Sequence, residues 1–151
     1  LRSLGKFFGL AGIRMGFVSA QTGMLDLLAD ELGPWSVNGP AQAIAEQALK
    51  DTKWQQKQRQ RLNLQSEKLA QVLANYFKPE QISACSLFIT VKTLDAPELF
   101  KRLAREKVYI RLCDEKDAMR FGIPDDKGLV RLEKCLAKVL YKLAPKEPGI
   151  R

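Results

Sequence analysis

Apolar residues along this chain recur at helical spacing in some segments and form short continuous runs in others. A run over residues 13–20 predicts a buried strand, and the pattern over residues 24–32 predicts a short helix ended by Gly33 and Pro34. Helical spacing then extends from residue 41 to residue 76, a length of about 50 Å at 1.5 Å per residue. A helix of that length either bends or bridges two domains.

The organisation changes after residue 78. Three strands are predicted, over residues 85–93, 108–113 and 118–123, and a helix begins at Asp95, which we expect to be its N-cap. A closing amphipathic helix is marked by Leu129, Leu132, Leu136, Val139, Leu140 and Leu143. Residues 78–144 therefore predict a small α+β domain, with its helices over one face of the sheet. The tail over residues 145–151 is expected to fray.

Composition places the chain in the globular class. It has 151 residues, of which 46% are hydrophobic and 28% are charged. No apolar run approaches the roughly 18 residues of a membrane span, so we expect no membrane partner. The apolar first segment is interrupted by Arg2, Lys6 and Arg14, which argues against a signal peptide. A cytoplasmic location is the expectation.

Histidine and cysteine limit the possible chemistry. The chain contains no histidine, which excludes a Ser-His-Asp triad and histidine-based zinc sites within it. Cys85, Cys113 and Cys135 are odd in number and far apart, so they indicate neither a disulfide framework nor a metal site. We expect no metal. Proton transfer is left to lysine, carboxylate, tyrosine or a cofactor.

The net charge is +8, and residues 50–68 carry much of the excess. This segment holds six Lys or Arg residues against two acids, and it includes Trp54. A basic helix of this kind could bind nucleic acid through phosphate contacts. The favoured interpretation is a solvated helix face, because no nucleic-acid motif accompanies the charge, and we expect no nucleic-acid partner.

The residues around Lys6 carry the most specific chemistry. Ser3 precedes the lysine by three residues and Arg14 follows it by eight, with Gly12 and Gly16 flanking the arginine. A lysine that forms an imine must be partly deprotonated near neutral pH, which a cationic, partly desolvated pocket favours. A phosphate dianion is well matched by a guanidinium and a hydroxyl. The alternative is a solvated lysine in a glycine-rich turn.

This pattern resembles the cofactor-lysine motif of the fold-type I pyridoxal-phosphate enzymes, the aspartate aminotransferase superfamily. The resemblance implies that Lys6 is the catalytic residue that carries pyridoxal 5'-phosphate covalently, while Ser3 and Arg14 hold its phosphate. It also implies an α/β fold class with the end of a large cofactor-binding domain over residues 1–40 and a long interdomain helix over 41–77. The α+β unit over 78–144 would be the small C-terminal domain.

Two arginines extend the resemblance into that small domain. Arg111 follows Val108-Tyr109-Ile110, similar to the strand of histidinol-phosphate aminotransferases whose arginine faces the substrate phosphate. Arg120, within Met119-Arg-Phe-Gly122, is similar to the arginine that clamps the substrate α-carboxylate. Both are therefore candidate substrate-binding residues. The alternative is that either makes a surface ion pair.

Within the superfamily, four stretches resemble the cobalamin-biosynthesis branch: residues 3–12, 33–40, 48–54 and 120–124. The implied function is decarboxylation of L-threonine-O-3-phosphate, a small phosphorylated amino acid, by a homodimer. A histidinol-phosphate-type aminotransferase is the alternative. The other family determinants of cofactor binding lie upstream of the lysine, so the chain is expected to be a C-terminal fragment that is inactive by itself.

Overall fold

The computed structural model describes residues 1–141 and contains two compact units, Leu1–Gln58 and Arg59–Arg151. The predicted tail, and Leu143 of the predicted closing helix, lie outside the described residues. Both units mix helix and strand, and the α/β fold class is confirmed. Within residues 1–141, no helix combines the length and the apolar character that a membrane span requires.

The first unit opens with two short strands that pair with each other. Strands β1 (Arg2–Ser3) and β2 (Gly16–Phe17) are antiparallel, with Ser3 opposite Gly16. The predicted buried strand over residues 13–20 is therefore wrong in extent. Only the two residues of β2 find backbone partners in β1, and Phe17 and Val18 remain 38% and 44% exposed.

Two helices follow these strands in the first unit. Helix α1 (Thr22–Leu32) begins two residues before the predicted start and ends as predicted. Gly33 ends it with φ at 69°, a conformation that costs glycine little, and its N–H donates to the carbonyl oxygen of Ala29. Helix α2 (Gly39–Lys50) begins at Asn38, whose side chain accepts a hydrogen bond from the Ala41 N–H.

The helical stretch predicted over residues 41–76 consists of two helices rather than one. Helix α3 (Thr52–Ala74) is separated from α2 by Asp51, whose ψ of 73° is not helical. The Asp51 carboxylate accepts a hydrogen bond from the Trp54 N–H at 2.9 Å and so caps the new helix. Gln55 donates its side-chain amide to the carbonyl oxygens of Ala48 and Leu49, which end α2.

The second unit is built on a four-stranded antiparallel sheet. Its elements after α3 are β3 (Ile82–Cys85), β4 (Phe88–Lys92), α4 (Ala96–Arg105), β5 (Arg111–Leu112), β6 (Ala118–Gly122) and α5 (Asp126–Tyr141). The strand order is β3-β4-β6-β5. The predicted strands over 85–93 and 118–123 correspond to β4 and β6. The strand predicted over 108–113 shortens to β5, and β3 was not predicted.

One face of this sheet forms the core. Ile89 and Val91 of β4 lie opposite Phe121 and Met119 of β6, and all four are almost fully buried. Three helices contribute the remaining apolar side chains to this cluster: Leu69, Val72 and Leu73 from α3, Leu99 and Leu103 from α4, and Leu132, Leu136 and Val139 from α5. The prediction that helices cover one sheet face agrees with this packing.

Helix α4 begins where the sequence predicts, but its start is not stabilised as expected. Asp95 occupies the N-cap position, yet its side chain makes no capping hydrogen bond. Its φ of −82° and ψ of 4° differ from the extended backbone usual at an N-cap. The Asp95 N–H instead donates to the Thr93 hydroxyl, and the first turn contains Pro97.

Helices α3 and α5 are linked by a charged contact at the edge of the core. Lys68 and Gln65 on α3 both donate to the Asp126 carboxylate, at 2.8 and 3.2 Å. These hydrogen bonds, from Lys68 first, lower the pKa of Asp126 below its ordinary value. The resulting stabilisation is present above that ordinary value and is lost as the pH falls through the lowered pKa.

A substitution in α5 tests the assigned core. Leu136→Ala is expected to lower the free energy of unfolding by about 2–5 kcal/mol, because it removes a fully buried side chain and leaves a cavity. Val130→Ala on the same helix is the control, since Val130 is 53% exposed and should cost less than about 0.5 kcal/mol. Urea unfolding measures both. Equal effects would contradict the placement of Leu136.

Candidate functional site

The segment that contains Lys6 is a loop closed by the β1–β2 pairing. Its conformation is held by backbone hydrogen bonds, from the Leu10 N–H to the Leu4 carbonyl oxygen at 3.0 Å and from the Gly9 N–H to the Lys6 carbonyl oxygen at 3.2 Å. Leu4 is buried and anchors the loop within the first unit. Lys6 itself is exposed, so its amine is accessible at the turn.

The loop brings the three predicted cofactor residues to one pocket. Ser3, Lys6 and Arg14 all line a cavity of about 400 Å³, together with Gly5, Leu10, Ala11, Met15 and Gly16. The pocket therefore presents a primary amine, a hydroxyl and a guanidinium. An amine suits an aldehyde carbon, and the other two groups suit a phosphate dianion. This donor set fits pyridoxal phosphate.

The backbone at this pocket is constrained at two positions. Arg14 has φ 52° and ψ 46°, the left-handed conformation that is uncommon for a residue with a side chain. Gly16 cannot carry a side chain without a shift of the backbone, because a Cβ there would lie 2.9 Å from the Arg2 carbonyl oxygen. A left-handed conformation such as that of Arg14 costs about 1–3 kcal/mol in a residue with a side chain, and such conformations occur often at functional sites.

Three aromatic rings pack beside the lysine. Phe7 and Phe8 contact each other with centroids 5.0 Å apart, and Trp54 contacts both, at 5.7 and 5.8 Å. The Trp54 ring is stacked on Phe8 and edge-on to Phe7. Since Phe7 is the residue after Lys6, this aromatic cluster holds the lysine loop against the start of α3.

The second unit carries the two predicted substrate arginines on the same face of the sheet. Arg111 of β5 lies directly opposite Arg120 of β6, and Arg120 lies opposite Thr90 of β4, which in turn lies opposite Ser83 of β3. These four residues form a row across the face that points away from the core. We call this face of the sheet the open face. Directly opposed like charges destabilise a sheet. An anion bound between the two arginines would reduce this repulsion.

Arg120 is the better defined of the two arginines. Its side chain is half-buried, and its guanidinium carbon lies 4.3 Å from the centroid of the Phe88 ring. Its Nε is buried without a hydrogen-bond partner. Among residues 1–141, no carboxylate forms a salt bridge with Arg120 or Arg111. The alternative that these arginines serve as surface ion pairs finds no support in this part of the chain.

Several cations elsewhere in the second unit are paired with carboxylates. A groove of about 370 Å³ between α4 and α5 is lined by Arg102, Arg105, Glu106, Lys138 and Val139. Arg102 donates to Glu98 at 2.7 Å, which lowers the pKa of that carboxyl, and Lys138 pairs with Glu106. The basic segment over residues 50–68 forms the end of α2 and most of α3, with Lys50 and Lys68 in salt bridges.

Three residues of these sites were not singled out as site residues from the sequence. Phe88 and Thr90 reach the open face only through the register of β4 with β6, which the sequence does not specify. Trp54 was identified as part of the basic segment, but its contact with Phe7 and Phe8 joins positions nearly fifty residues apart. Alternation in the predicted strand was the one available signal for Phe88, because it separates this residue from Ile89 and Val91.

Residues 1–132 match the family described as aminotransferase class I and II. The chain is 38% identical over 137 residues to a threonine-phosphate decarboxylase of Pseudomonas aeruginosa, a match that covers 90% of this chain and 41% of the relative. It is 28% identical over 143 residues to a histidinol-phosphate aminotransferase of Clostridium kluyveri, covering 93% and 41%.

The fold is also similar to that of a solved structure, the histidinol-phosphate aminotransferase from Clostridium acetobutylicum. The TM-score is 0.82 at 21% sequence identity, and the match covers 93% of this chain and 45% of that one. At this identity the likeness concerns the fold. The chain thus spans less than half the length of the relatives that it matches.

Trp54 provides a test of the aromatic cluster. Trp54→Ala should increase amide hydrogen exchange over residues 4–10 by about tenfold, because ring contacts of about 0.5–1.5 kcal/mol each are lost. Trp35→Ala is the matched control, since Trp35 is 91% exposed. Amides of α5 serve as the internal reference for global stability. Unchanged exchange of the loop in Trp54→Ala would show that the cluster does not hold it.

Proposed function

The chain belongs to the class I and II aminotransferase family, and we propose that it is part of a pyridoxal-phosphate enzyme that decarboxylates L-threonine-O-3-phosphate. The observation that carries this proposal is the pocket lined jointly by Ser3, Lys6 and Arg14. The likeness to a threonine-phosphate decarboxylase supports the choice of reaction. The resemblance further implies a homodimer, and we include that dimer and a cytoplasmic location in the proposal.

In this proposal each pocket residue has a separate task. Arg14 and Ser3 bind the cofactor phosphate, with the guanidinium supplying charge and the hydroxyl a further donor. Lys6 carries the cofactor and moves a proton at Nζ, a role that suits a chain without histidine. When bound, the cofactor supplies an electron sink for bond breaking at the substrate Cα.

The open face of the second unit supplies the substrate contacts. We assign the α-carboxylate to Arg120 and the phosphate to Arg111, since a guanidinium binds either anion bidentately and keeps its charge. The Cα atoms of directly opposed residues are about 4.5–5.5 Å apart, so the pair suits a small molecule with two anionic ends. By fixing the carboxylate, Arg120 orients the Cα–carboxylate bond and so bears on whether CO₂ or the α-proton is lost.

An aminotransferase of histidinol-phosphate type is the second candidate. It is favoured by the relative from Clostridium kluyveri, which matches at lower identity than the decarboxylase. Histidinol phosphate has no carboxylate. In such an enzyme Arg120 would meet no carboxylate on the phosphorylated substrate, whereas in the decarboxylase it would.

Covalent labelling tests the role of Lys6. Treatment of the intact protein with pyridoxal phosphate and then borohydride, followed by peptide mapping, should place the pyridoxyl label on Lys6. Arg14→Ala should weaken cofactor binding by about ten- to a hundred-fold, the effect of losing a charge-assisted hydrogen bond. Lys101→Ala, which removes an exposed lysine of α4, should leave the labelling unchanged. A label on other lysines with Lys6 unmodified would overturn the proposal.

Substitution of each arginine tests the substrate assignment. Arg120→Ala in the intact protein should weaken binding of L-threonine phosphate by about ten- to a hundred-fold, while the label still forms on Lys6. Arg111→Ala should weaken binding of the phosphorylated substrate more than that of unphosphorylated L-threonine. Arg105→Ala on α4 is a control for the general loss of a cation. If Arg111→Ala affects both ligands equally, Arg111 does not bind the phosphate.

A further inference from the structure

We propose that Phe88 is a positioning residue that sets the direction of the Arg120 guanidinium and thereby the anion affinity of the open face. For the identity of the anion this inference rests on the proposed function. For the contact itself it rests on the geometry around Arg120. The Arg120 Nε has no hydrogen-bond partner among the described residues and the guanidinium lies over the Phe88 ring, so we take the ring as the group that orients this side chain.

The register of the sheet places the ring beside the guanidinium. Thr90 is directly opposite Arg120, and Phe88 lies two residues earlier on β4, on the same face. The residue opposite Phe88 is Gly122, so no side chain on β6 competes with Arg120 for the ring. The guanidinium carbon is 4.3 Å from the ring centroid, well within the range of a cation–π interaction.

A cation–π contact does not require the hydrogen-bond donors of the guanidinium. A cation–π contact is made to the negative face of the ring, whereas the five N–H donors of arginine lie in the guanidinium plane. The buried Nε of Arg120 is unpartnered. Phe88 therefore restricts the rotamers of Arg120 and leaves donors available for a bidentate contact with a carboxylate or phosphate.

Phe88 also acts on the electrostatics of the row. Arg111 is directly opposite Arg120, and the two positive charges repel each other. Without an opposing attraction, this repulsion would turn the two side chains away from each other. The negative face of the Phe88 ring attracts Arg120 from the β4 side and keeps it in the row. One small anionic molecule can then meet both arginines.

Substitutions at Phe88, compared with one at Phe100, test this inference. Phe88→Leu removes the ring face, Phe88→Tyr retains it, and Phe100→Leu removes another half-buried ring, on α4. The intact protein is labelled with ¹⁵N-arginine and titrated with inorganic phosphate and with L-threonine phosphate. The Nε–H signal of Arg120, assigned by its absence in Arg120→Lys, reports on the ring contact and on anion binding.

In the unsubstituted protein we expect the Arg120 Nε–H signal to lie upfield, because the ring shields it. We also expect either anion to shift this signal. Phe88→Leu should lose the upfield position and bind both anions about 2- to 30-fold more weakly. Phe88→Tyr should restore both properties, and Phe100→Leu should resemble the unsubstituted protein. Rescue by tyrosine distinguishes positioning from a general loss of packing.

Three results would change these conclusions. Unchanged anion affinity in a folded Phe88→Leu protein would overturn the positioning role and leave the proposed function in place. Phe88-dependent binding of inorganic phosphate, with L-threonine phosphate bound no better, would support the positioning role and count against the proposed substrate. Binding of neither anion to the unsubstituted protein would overturn both.

Discussion

The pairing of β4 with β6 is the constraint on which the second unit depends. It sets Ile89 against Phe121 and Val91 against Met119 on the core face, and by the same register it sets Thr90 against Arg120 on the open face. Successive residues of a strand point to opposite faces, so a slip of one position would exchange the two sets. Burial of four apolar side chains therefore fixes Arg120 on the open face.

In the first unit, local chain geometry brings the predicted cofactor residues together instead. Ser3, Lys6 and Arg14 are close in sequence, and the pairing of β1 with β2 closes the loop that gathers them around one pocket. Little apolar surface is buried here, with Leu4, Ala41 and Ala45 as its buried hydrophobic residues. The aromatic contacts of Phe7 and Phe8 with Trp54 add packing where the core is thin.

These two kinds of geometry explain what the sequence could predict. The cofactor residues could be proposed because their spacing is short, and α1, α4 and α5 were found because helical periodicity is local. Strand β3 was missed because its residues are largely exposed and lack an apolar run. The break at Asp51 was missed because residues 50–61 contain no glycine or proline and the helical spacing of apolar residues resumes at Leu62. The non-helical backbone of Asp51 and its hydrogen bond to Trp54 reveal the cap. Phe88 required the register, which depends on residues thirty positions away.

If the open face binds an anion as proposed, the opposed arginines also link ligand binding to folding. The repulsion between Arg111 and Arg120, which are directly opposed in the sheet, lowers the stability of the fold when no anion is bound. An anion that binds only the folded sheet would raise the stability again. By mass action, a ligand at a hundred times its Kd adds about 2.7 kcal/mol to the free energy of unfolding. Under the proposed function, the folded fraction of the protein would then rise with the concentration of its substrate.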